Sequence, residues 1–205
     1  MEDVLDVYQR PYAPLRPVVC LDETNRQLIE KRRIPPKPGS PGREDYEYRR
    51  CGVADLFAAF EPLACKGGVK LTHTRTAVDF AHFLRKLVDI HDSRCEKIVL
   101  VMDNSNIHSI ASLHKAFEPA QARQIIQRLE IHYTPIHASW LNMAEIEIGI
   151  LSRQGLSQTL SSFELIARQV NAWTLQRNAV CSTVHWRFSI ADARCKPQKL
   201  YPVIF

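Results

Sequence analysis

The stretch Ile98-Val99-Leu100-Val101-Met102-Asp103 decides the fold of this 205-residue chain. Five apolar residues follow one another without interruption and end at a carboxylate, and segments of helical periodicity lie on either side. An apolar run of this kind between helices predicts a central strand that is covered on both faces. A second run, Val18-Val19-Cys20-Leu21, stops in the same way at Asp22. We therefore expect an α/β domain with a central sheet and helices on both faces.

Capping residues, periodicity and chain breakers assign the other segments. Further strands are expected at 26–29, around Tyr46 and Tyr48, over Val53–Phe60 (ended by Pro62 and Gly67-Gly68), and at 131–133. Helices are expected from Thr76 onward with Asp79 in a capping box, at 109–117 and 119–129, from Trp140 to Ser152 with Ser139 as cap, and over 163–177 with Ser161 and Glu164 as a capping box. Prolines predict an irregular loop over Ile34–Gly42. Residues 1–15 are expected to form an N-terminal arm and 186–205 an extended C-terminal tail, both within one domain spanning 1–205.

The composition excludes several classes of protein. With 45% apolar and 24% charged residues the chain can bury a core, and neither collagen, a coiled coil nor disorder fits. No apolar run is long enough to cross a membrane, and the first residues lack the pattern of a signal peptide. The six cysteines lie far apart without a C-x-x-C pair. These features predict a cytoplasmic protein with reduced thiols and no zinc site.

The positive charge is unevenly distributed. Lys and Arg number 27 against 22 acidic residues, for a net charge of +5. Residues 26–50 hold eight basic and four acidic residues, and residues 151–205 hold seven basic and two acidic residues. Two basic segments on either side of a nearly neutral one can bind a polyanion such as DNA, or can simply keep the surface solvated.

Two carboxylates stand out by their position. Asp22 and Asp103 each end an apolar strand, and ligands collect beyond the carboxyl ends of strands in open α/β sheets. Paired carboxylates repel each other unless a cation lies between them, and Mg²⁺ prefers oxygen ligands. On the helix that follows, Glu145 shares a face with Leu141 and Ile148 and is expected to lean toward the domain, whereas Glu147 is expected to point away. The alternative for Asp22 and Asp103 is an ordinary turn or capping role.

Five ordered blocks resemble one family. They are VVCLDE (18–23), DYEYRRC (45–51), VMDNSNIH (101–108), HYTPIHASWLNMAE (132–145) and the closing WRF with ADAR (186–188 and 191–194). Together they resemble the catalytic half of bacterial insertion-sequence transposases related to the mariner group, in the DDE superfamily. The resemblance runs from about Glu2 to Pro202.

The resemblance implies a fold, a reaction and partners. The implied fold is ribonuclease-H-like, and the implied catalytic and metal-binding triad is Asp22, Asp103 and Glu145. In the family such a triad binds two divalent ions, Mg²⁺ or Mn²⁺, which cut DNA at the ends of the element and join it to a target. The implied partners are DNA and further copies of the chain. Family members usually carry an N-terminal helix-turn-helix region; nothing before Asp22 is long enough for one, so we expect it to be absent here, with a separate helix-turn-helix subunit as one candidate partner.

Residues around the triad have two interpretations each. His108 either orients a phosphate or water or makes a local hydrogen bond at a helix start, and Trp140 either stacks on DNA or anchors its helix in the core. The accessory candidates are Asn104, His108 and Asn142. The candidate DNA contacts are Trp140, Arg49, Arg50, Arg187 and Arg194, although any single arginine can equally lie on a solvated face.

Three functions remain open at this level. The leading hypothesis is the metal-dependent catalytic domain of a transposase. The second is a non-catalytic remnant that binds DNA or a partner subunit without cleavage. The third is a metal-dependent nuclease or phosphatase on the same fold.

Overall fold

The sheet is built around a long two-stranded ribbon. In this computed structural model, which describes residues 1–34, 38–39, 43–91 and 95–195, strands β1 (Val18–Ile34) and β2 (Arg43–Glu61) pair antiparallel. Strand β3 (Lys66–Thr72) pairs antiparallel with β2. Strands β4 (Ile98–Met102) and β5 (Leu129–Tyr133) continue the sheet on the other side, each parallel to its neighbour. The order β3-β2-β1-β4-β5 is a mixed sheet.

Helices cover both faces of this sheet, as predicted. They are α1 (Glu2–Gln9), α2 (Ala77–His91), α3 (Ala111–Ala116), α4 (Pro119–Gln127), α5 (Ala144–Gln154), α6 (Phe163–Val180) and α7 (Ile190–Cys195), with a short 3₁₀ turn at Ser139–Leu141. Helices α2, α3 and α4 pack on one face in a single apolar cluster. Helices α1, α5 and α6 pack on the opposite face. No helix among the described residues is long and apolar enough to cross a bilayer.

The position of strand β4 in the middle of the fold explains why its sequence is apolar throughout. All five of its residues are buried. Leu100 and Met102 belong to the cluster beneath α2, while Val99 and Val101 belong to the cluster beneath α1. Because alternate side chains point to opposite faces of a strand, only a strand covered on both sides needs this composition. The sequence prediction for this element is confirmed.

Several predicted elements are wrong. Strand β1 does not stop at Asp22 but continues to Ile34, and 26–29 belongs to it rather than to a separate strand. The pair Gly67-Gly68 lies within β3 rather than ending a strand. The predicted loop over Ile34–Gly42 falls largely outside the described residues.

Both ends of the domain are more structured than predicted. The N-terminal arm contains helix α1, whose Val4, Leu5 and Val7 are fully buried. The tail predicted as extended contains helix α7, with Ala193 packed against Leu5, while 196–205 lies outside the described residues. The sequence prediction failed here because α1 carries a charged outer face around only three apolar positions.

Two helix starts are shifted relative to the prediction. Helix α5 begins at Ala144, and Ser139 lies in the preceding 3₁₀ turn instead of capping it. The N-cap of α6 is Ser162, whose hydroxyl accepts a hydrogen bond from the Leu165 N–H, not Ser161. At α2, by contrast, Thr76 and Asp79 form the predicted reciprocal capping box.

The cysteines are not all reduced thiols. Cys65, in the turn between β2 and β3, and Cys181, directly after α6, form a disulfide, with Cα atoms 4.8 Å apart. Cys20, Cys51, Cys95 and Cys195 are free. The prediction of six thiols is therefore wrong for one pair, because the spacing along the sequence did not indicate that residues 116 positions apart are neighbours.

Candidate active site

The register of the sheet brings Asp22 and Asp103 side by side. In the parallel β1–β4 pair Cys20 is opposite Val101, so Asp22 within β1 and Asp103 directly after β4, each two residues further along, reach the same level. Helix α5, which carries Glu145, packs against β1. The negative charges of Asp103 and Glu145 both act on Asp22. Asp103 and Glu145 are thus near enough to Asp22 for their charges to act on it.

Asp22 is the buried member of this group. Its residue is only 8% exposed, and its Oδ1 accepts a hydrogen bond of 2.8 Å from the Glu23 N–H. Burial raises the pKa of Asp22 to about 7, and the charges of Glu23, Asp103 and Glu145 act in the same direction, against the backbone hydrogen bond. A carboxylate in these surroundings is stabilised by a bound cation.

Glu145 and Glu147 are placed opposite to the prediction. Glu147 is 5% exposed, and its carboxylate receives two hydrogen bonds, of 2.6 and 3.0 Å, from the Arg177 guanidinium on α6. Glu145 is exposed. The reason is that α5 starts only at Ala144, so Leu141 does not mark its inner face; that face is formed by Ala144, Glu147 and Leu151. Glu145 lies at the open side of the site, where solvent and ligands reach it.

His108 links Asp103 to a fourth acid. Its Nδ1 donates to Asp103 Oδ1 at 2.5 Å, and its Nε2 lies 2.6 Å from Glu23 Oε2. The ring is fully buried and packs on Phe80, with 4.8 Å between ring centroids. Burial alone would lower the pKa of His108, but the hydrogen bond to Asp103 and the close contact with the Glu23 carboxylate outweigh it and raise the pKa to about 9. His108 is therefore a buried cation at neutral pH.

The contact with His108 favours the ionised form of Asp103. The hydrogen bond from His108 holds the pKa of Asp103 below its usual range, and the Ser105 N–H also donates to Oδ1, at 3.2 Å. Of the two interpretations of His108, the structure shows the local hydrogen bond close to a helix start. The partner in that hydrogen bond is Asp103, a candidate catalytic acid. Glu23 was not identified from the sequence. Alternation along β1 places Glu23 on the opposite face from Asp22, toward α2, and this is the signal that could have indicated a separate role for it.

Asn142 connects Asp22 to the start of α5. Its buried side-chain amide donates to the Leu21 carbonyl at 2.7 Å and lies 3.4 Å from Asp22 Oδ2. Its Oδ1 accepts from the Ala144 N–H at 3.2 Å, at the first residue of α5. One side chain therefore ties the β1 acid to the helix that carries Glu145. The other accessory candidate, Asn104, is exposed, with no side-chain bond shown.

Tyr8 of α1 was also missed. Its hydroxyl donates to the Leu141 carbonyl at 2.8 Å and accepts from the Met143 N–H at 3.3 Å. It therefore holds the chain just before α5. The sequence does not indicate this role of Tyr8, because residues 1–15 are short, polar and interrupted by prolines, a pattern typical of an N-terminal arm.

The candidate DNA contacts are dispersed. Arg49 and Arg50 lie far along the β1–β2 ribbon, opposite Glu30 and Ile29, and Arg49 is paired with Glu30 at 2.6 Å. Arg194 is paired with Glu2. Arg187 is exposed. The structure does not gather these arginines around the three acids.

Trp140 belongs to an aromatic group on the surface. It is 43% exposed, is stacked on Trp186 with 6.4 Å between centroids, and meets Phe188 edge-on at 5.5 Å. It lies two residues before Asn142 and so close to the candidate site along the chain. The ring is therefore not a buried core anchor, and stacking on DNA stays a prediction.

The donor set suits a hard divalent cation. The carboxylates of Asp22, Asp103 and Glu145 offer the oxygen ligands that Mg²⁺ and Mn²⁺ take, and the charge of Asp22 is disfavoured by its burial. Within the described ranges no group of three or more acidic, histidine or cysteine side chains is arranged closely enough to hold a metal ion. The residues thus fit the ion by chemistry, without forming a closed cage.

Comparison with known proteins identifies the family and the fold. A model of the family described as DDE superfamily endonuclease matches residues 17–166, a range that contains all three acids. Among similar solved structures is the crystal structure of the Mos1 strand transfer complex, with 17% identity and a TM-score of 0.50 over 85% of this chain. The present chain spans about half of that one (51%). No curated protein matches.

These findings confirm two predictions. The fold likeness supports the ribonuclease-H-like mixed sheet with helices on both faces. The family match covers most of the chain, from just before β1 into α6. The chain belongs to the DDE superfamily endonucleases.

Proposed function

We propose that this chain is the catalytic domain of a transposase, which cuts DNA at the ends of an insertion sequence and joins those ends to a target. Asp22, Asp103 and Glu145 are the proposed catalytic residues. The observation that supports the proposal is the matched level of Asp22 and Asp103 in the parallel β1–β4 pair, with Glu145 near enough for its charge to act on Asp22, within the range matched by the endonuclease family.

We assign the same three carboxylates as ligands of two divalent ions, Mg²⁺ or Mn²⁺. When bound, such ions activate a water or a DNA 3′-hydroxyl and stabilise the leaving oxygen. Carboxylates suit this role because they bind hard cations and offset their charge. No serine or cysteine nucleophile is required.

The surrounding residues orient the acids. His108 holds one oxygen of Asp103, which leaves the rest of that carboxylate free to turn toward Asp22. Asn142 sets the distance between β1 and the first turn of α5. Glu145 stays on the open side, where a DNA strand can approach it.

DNA is the proposed substrate for both cleavage and joining. Trp140, two residues before Asn142 and with a free ring surface, and the exposed Arg187, which has no ion pair among the described residues, are the foremost proposed DNA contacts. Arg49, Arg50 and Arg194 are more remote or already paired, and we propose them only as contacts to flanking phosphates. A homo-oligomer that holds both ends, and a helix-turn-helix subunit that recognises them, complete the proposal.

The test compares DNA cleavage by the wild type and by Asp103→Asn. Supercoiled plasmid is incubated with Mn²⁺ or Mg²⁺ and, separately, with a chelator. We expect metal-dependent nicking by the wild type and background levels for Asp103→Asn. Asp89→Asn is the matched control, since Asp89 is exposed on α2 and contacts only Arg85 among described residues.

A second arm separates transposition chemistry from plain hydrolysis. An oligonucleotide with a free 3′-hydroxyl and a labelled 5′ end is added to the plasmid reaction. Covalent joining of the label to the plasmid supports a transposase, and nicking without joining indicates a nuclease. Equal nicking by wild type and Asp103→Asn contradicts the assignment of the site.

A further inference from the structure

A groove lies on the α2 face of the sheet, away from α5 and Glu145. It encloses about 350 Å³ between α2 and the edge strand β3. Its floor is apolar and includes Ala59, Phe83 and Leu87. Nothing in the proposed cleavage chemistry uses it.

Three lysines stand around this apolar floor. Lys66 and Lys70 point to the same side of β3, four residues and therefore about 13 Å apart. Lys86 faces them from α2. Burial lowers the pKa of Lys70, against the charge of Asp79, and the charge of Lys86 acts in the same direction as burial. The nearby acid Glu61 is engaged by His91 at 2.9 Å, and no lysine of the three has an ion pair within the described part of the chain.

The groove also has open space and an exposed aromatic ring. A Cβ added at Gly68, between the two lysines of β3, would meet no atom within 4 Å. Tyr12 lines one end of the groove and is 51% exposed. Unpaired cations around an apolar floor with a free aromatic ring match a ligand that is anionic along one side and apolar along the other.

We propose that this groove binds single-stranded DNA, with phosphates on Lys66, Lys70 and Lys86 and a base on the apolar floor or on Tyr12. A duplex keeps its base faces stacked inside and cannot place them on the floor, whereas a single strand exposes them. The choice of DNA over an acidic peptide rests on the proposed function. Binding is measured without cleavage, so either proposal can fail alone.

The test measures binding of a short fluorescent oligothymidylate by anisotropy, in chelator, across a salt series. For the variant Lys70→Gln/Lys86→Gln we expect weaker binding and a log–log salt slope reduced by about 1.4, since each phosphate contact on a single strand contributes about 0.7. The control is Lys97→Gln/Lys115→Gln, which removes the same charge from exposed lysines elsewhere and should leave the slope within error.

A second variant tests the apolar floor without changing the charge. Gly68→Ile fills the open space, and we expect it to weaken oligothymidylate binding at least about fivefold, since a stacked base contributes about 1–3 kcal/mol. Gly68→Ala, which adds a single methyl group, is its control. Thermal unfolding of each variant checks that the fold is intact. Equal slopes for the two lysine pairs, or unchanged binding by Gly68→Ile, overturns the proposal. An acidic peptide that binds through these lysines while the oligonucleotide does not would also overturn it.

Discussion

At the scale of single residues, Asp22 carries the clearest sign of function. A carboxyl group that is 8% exposed and surrounded by three other acids destabilises the folded chain when it is ionised. Such groups persist where the site needs the charge for its chemistry. The neighbouring pair of Asp103 and His108 differs, because there the cation is supplied by the protein itself.

We predict that Asp22→Asn stabilises the metal-free protein at neutral pH by about 1–3 kcal/mol. The raised pKa of Asp22, about 7, means that its cost appears above the ordinary value of 3.8 and grows as the pH rises toward 7. Asparagine keeps the Oδ1 acceptor for the Glu23 N–H and affects only the 3.4 Å contact with Asn142. Urea unfolding in chelator measures the difference. A less stable Asp22→Asn at neutral pH would contradict this account of Asp22.

Glu130 on β5 illustrates the opposite case. Hydrogen bonds from Arg10, His132 and Arg16 outweigh burial and lower the pKa of Glu130 from 4.5 to about 2. Because the folded-state pKa is depressed, the stabilisation is complete above pH 4.5 and is lost as the pH falls toward 2.

We therefore predict that Glu130→Gln destabilises the protein at neutral pH by about 1–2 kcal/mol, a value reduced for the partial exposure of both arginines. The gap from wild type should narrow below pH 4.5. Urea unfolding of both proteins at a series of pH values measures the loss of stability at neutral pH and its decrease below pH 4.5. A gap that stays constant down to the lowest accessible pH would show that Glu130 acts through packing rather than charge.

At the scale of elements, the sequence predicted those whose pattern is local. Strand β4 is apolar because both of its faces are buried, and the start of α2 is marked by Thr76 and Asp79. Strand β3 was missed because Gly67-Gly68 is typical of a turn. In the structure the Gly67 N–H donates to the side-chain oxygen of Asn178 on α6, and the side-chain NH₂ of Asn178 donates to the Gly67 carbonyl. No local pattern in the sequence indicates this contact.

The triad shows the same limit. Asp22 and Asp103 were found because each follows a short apolar run, a property that each segment displays by itself, although only Asp103 lies at a strand end and Asp22 lies within β1. The orientation of Glu145 relative to Glu147 was wrong because it depends on where α5 begins, and Asn142 and Tyr8 set that start through contacts with distant elements.

Helix α1 gives a direct test of its revised role. We predict that Leu5→Ala lowers the free energy of unfolding by about 2–4 kcal/mol, because Leu5 is fully buried against Leu141 and Ala193. Asp6→Ala, on the exposed face of the same helix, should change it by less than about 0.5 kcal/mol. Chemical denaturation compares the two. Equally small changes in the free energy of unfolding for both variants would contradict the buried packing of α1.

At the scale of the whole molecule, the Cys65–Cys181 disulfide closes the largest loop in the described chain. It joins the β2–β3 turn to the end of α6, beside the Arg177–Glu147 pair that fixes α5. A crosslink between residues 116 positions apart restricts the unfolded chain strongly.

We predict that Cys65→Ser lowers stability by about 2–4 kcal/mol in protein purified under oxidising conditions. Cys195→Ser, which removes an exposed free thiol, should leave it unchanged. Adding a reductant should bring the wild type down to the level of Cys65→Ser. If the wild type is insensitive to reductant, the bond contributes nothing to the stability of the fold.

The central claim is that Asp22, Asp103 and Glu145 act as one metal-dependent cleavage site. The most direct measurement is the rate of Mn²⁺-dependent DNA nicking by Asp22→Asn, Asp103→Asn, Glu145→Gln and the triple variant. Groups that act as a unit are not additive, so we predict that each single variant falls to the same near-background rate as the triple variant. Substantial nicking by any single variant, with a further drop in the triple variant, would contradict the claim.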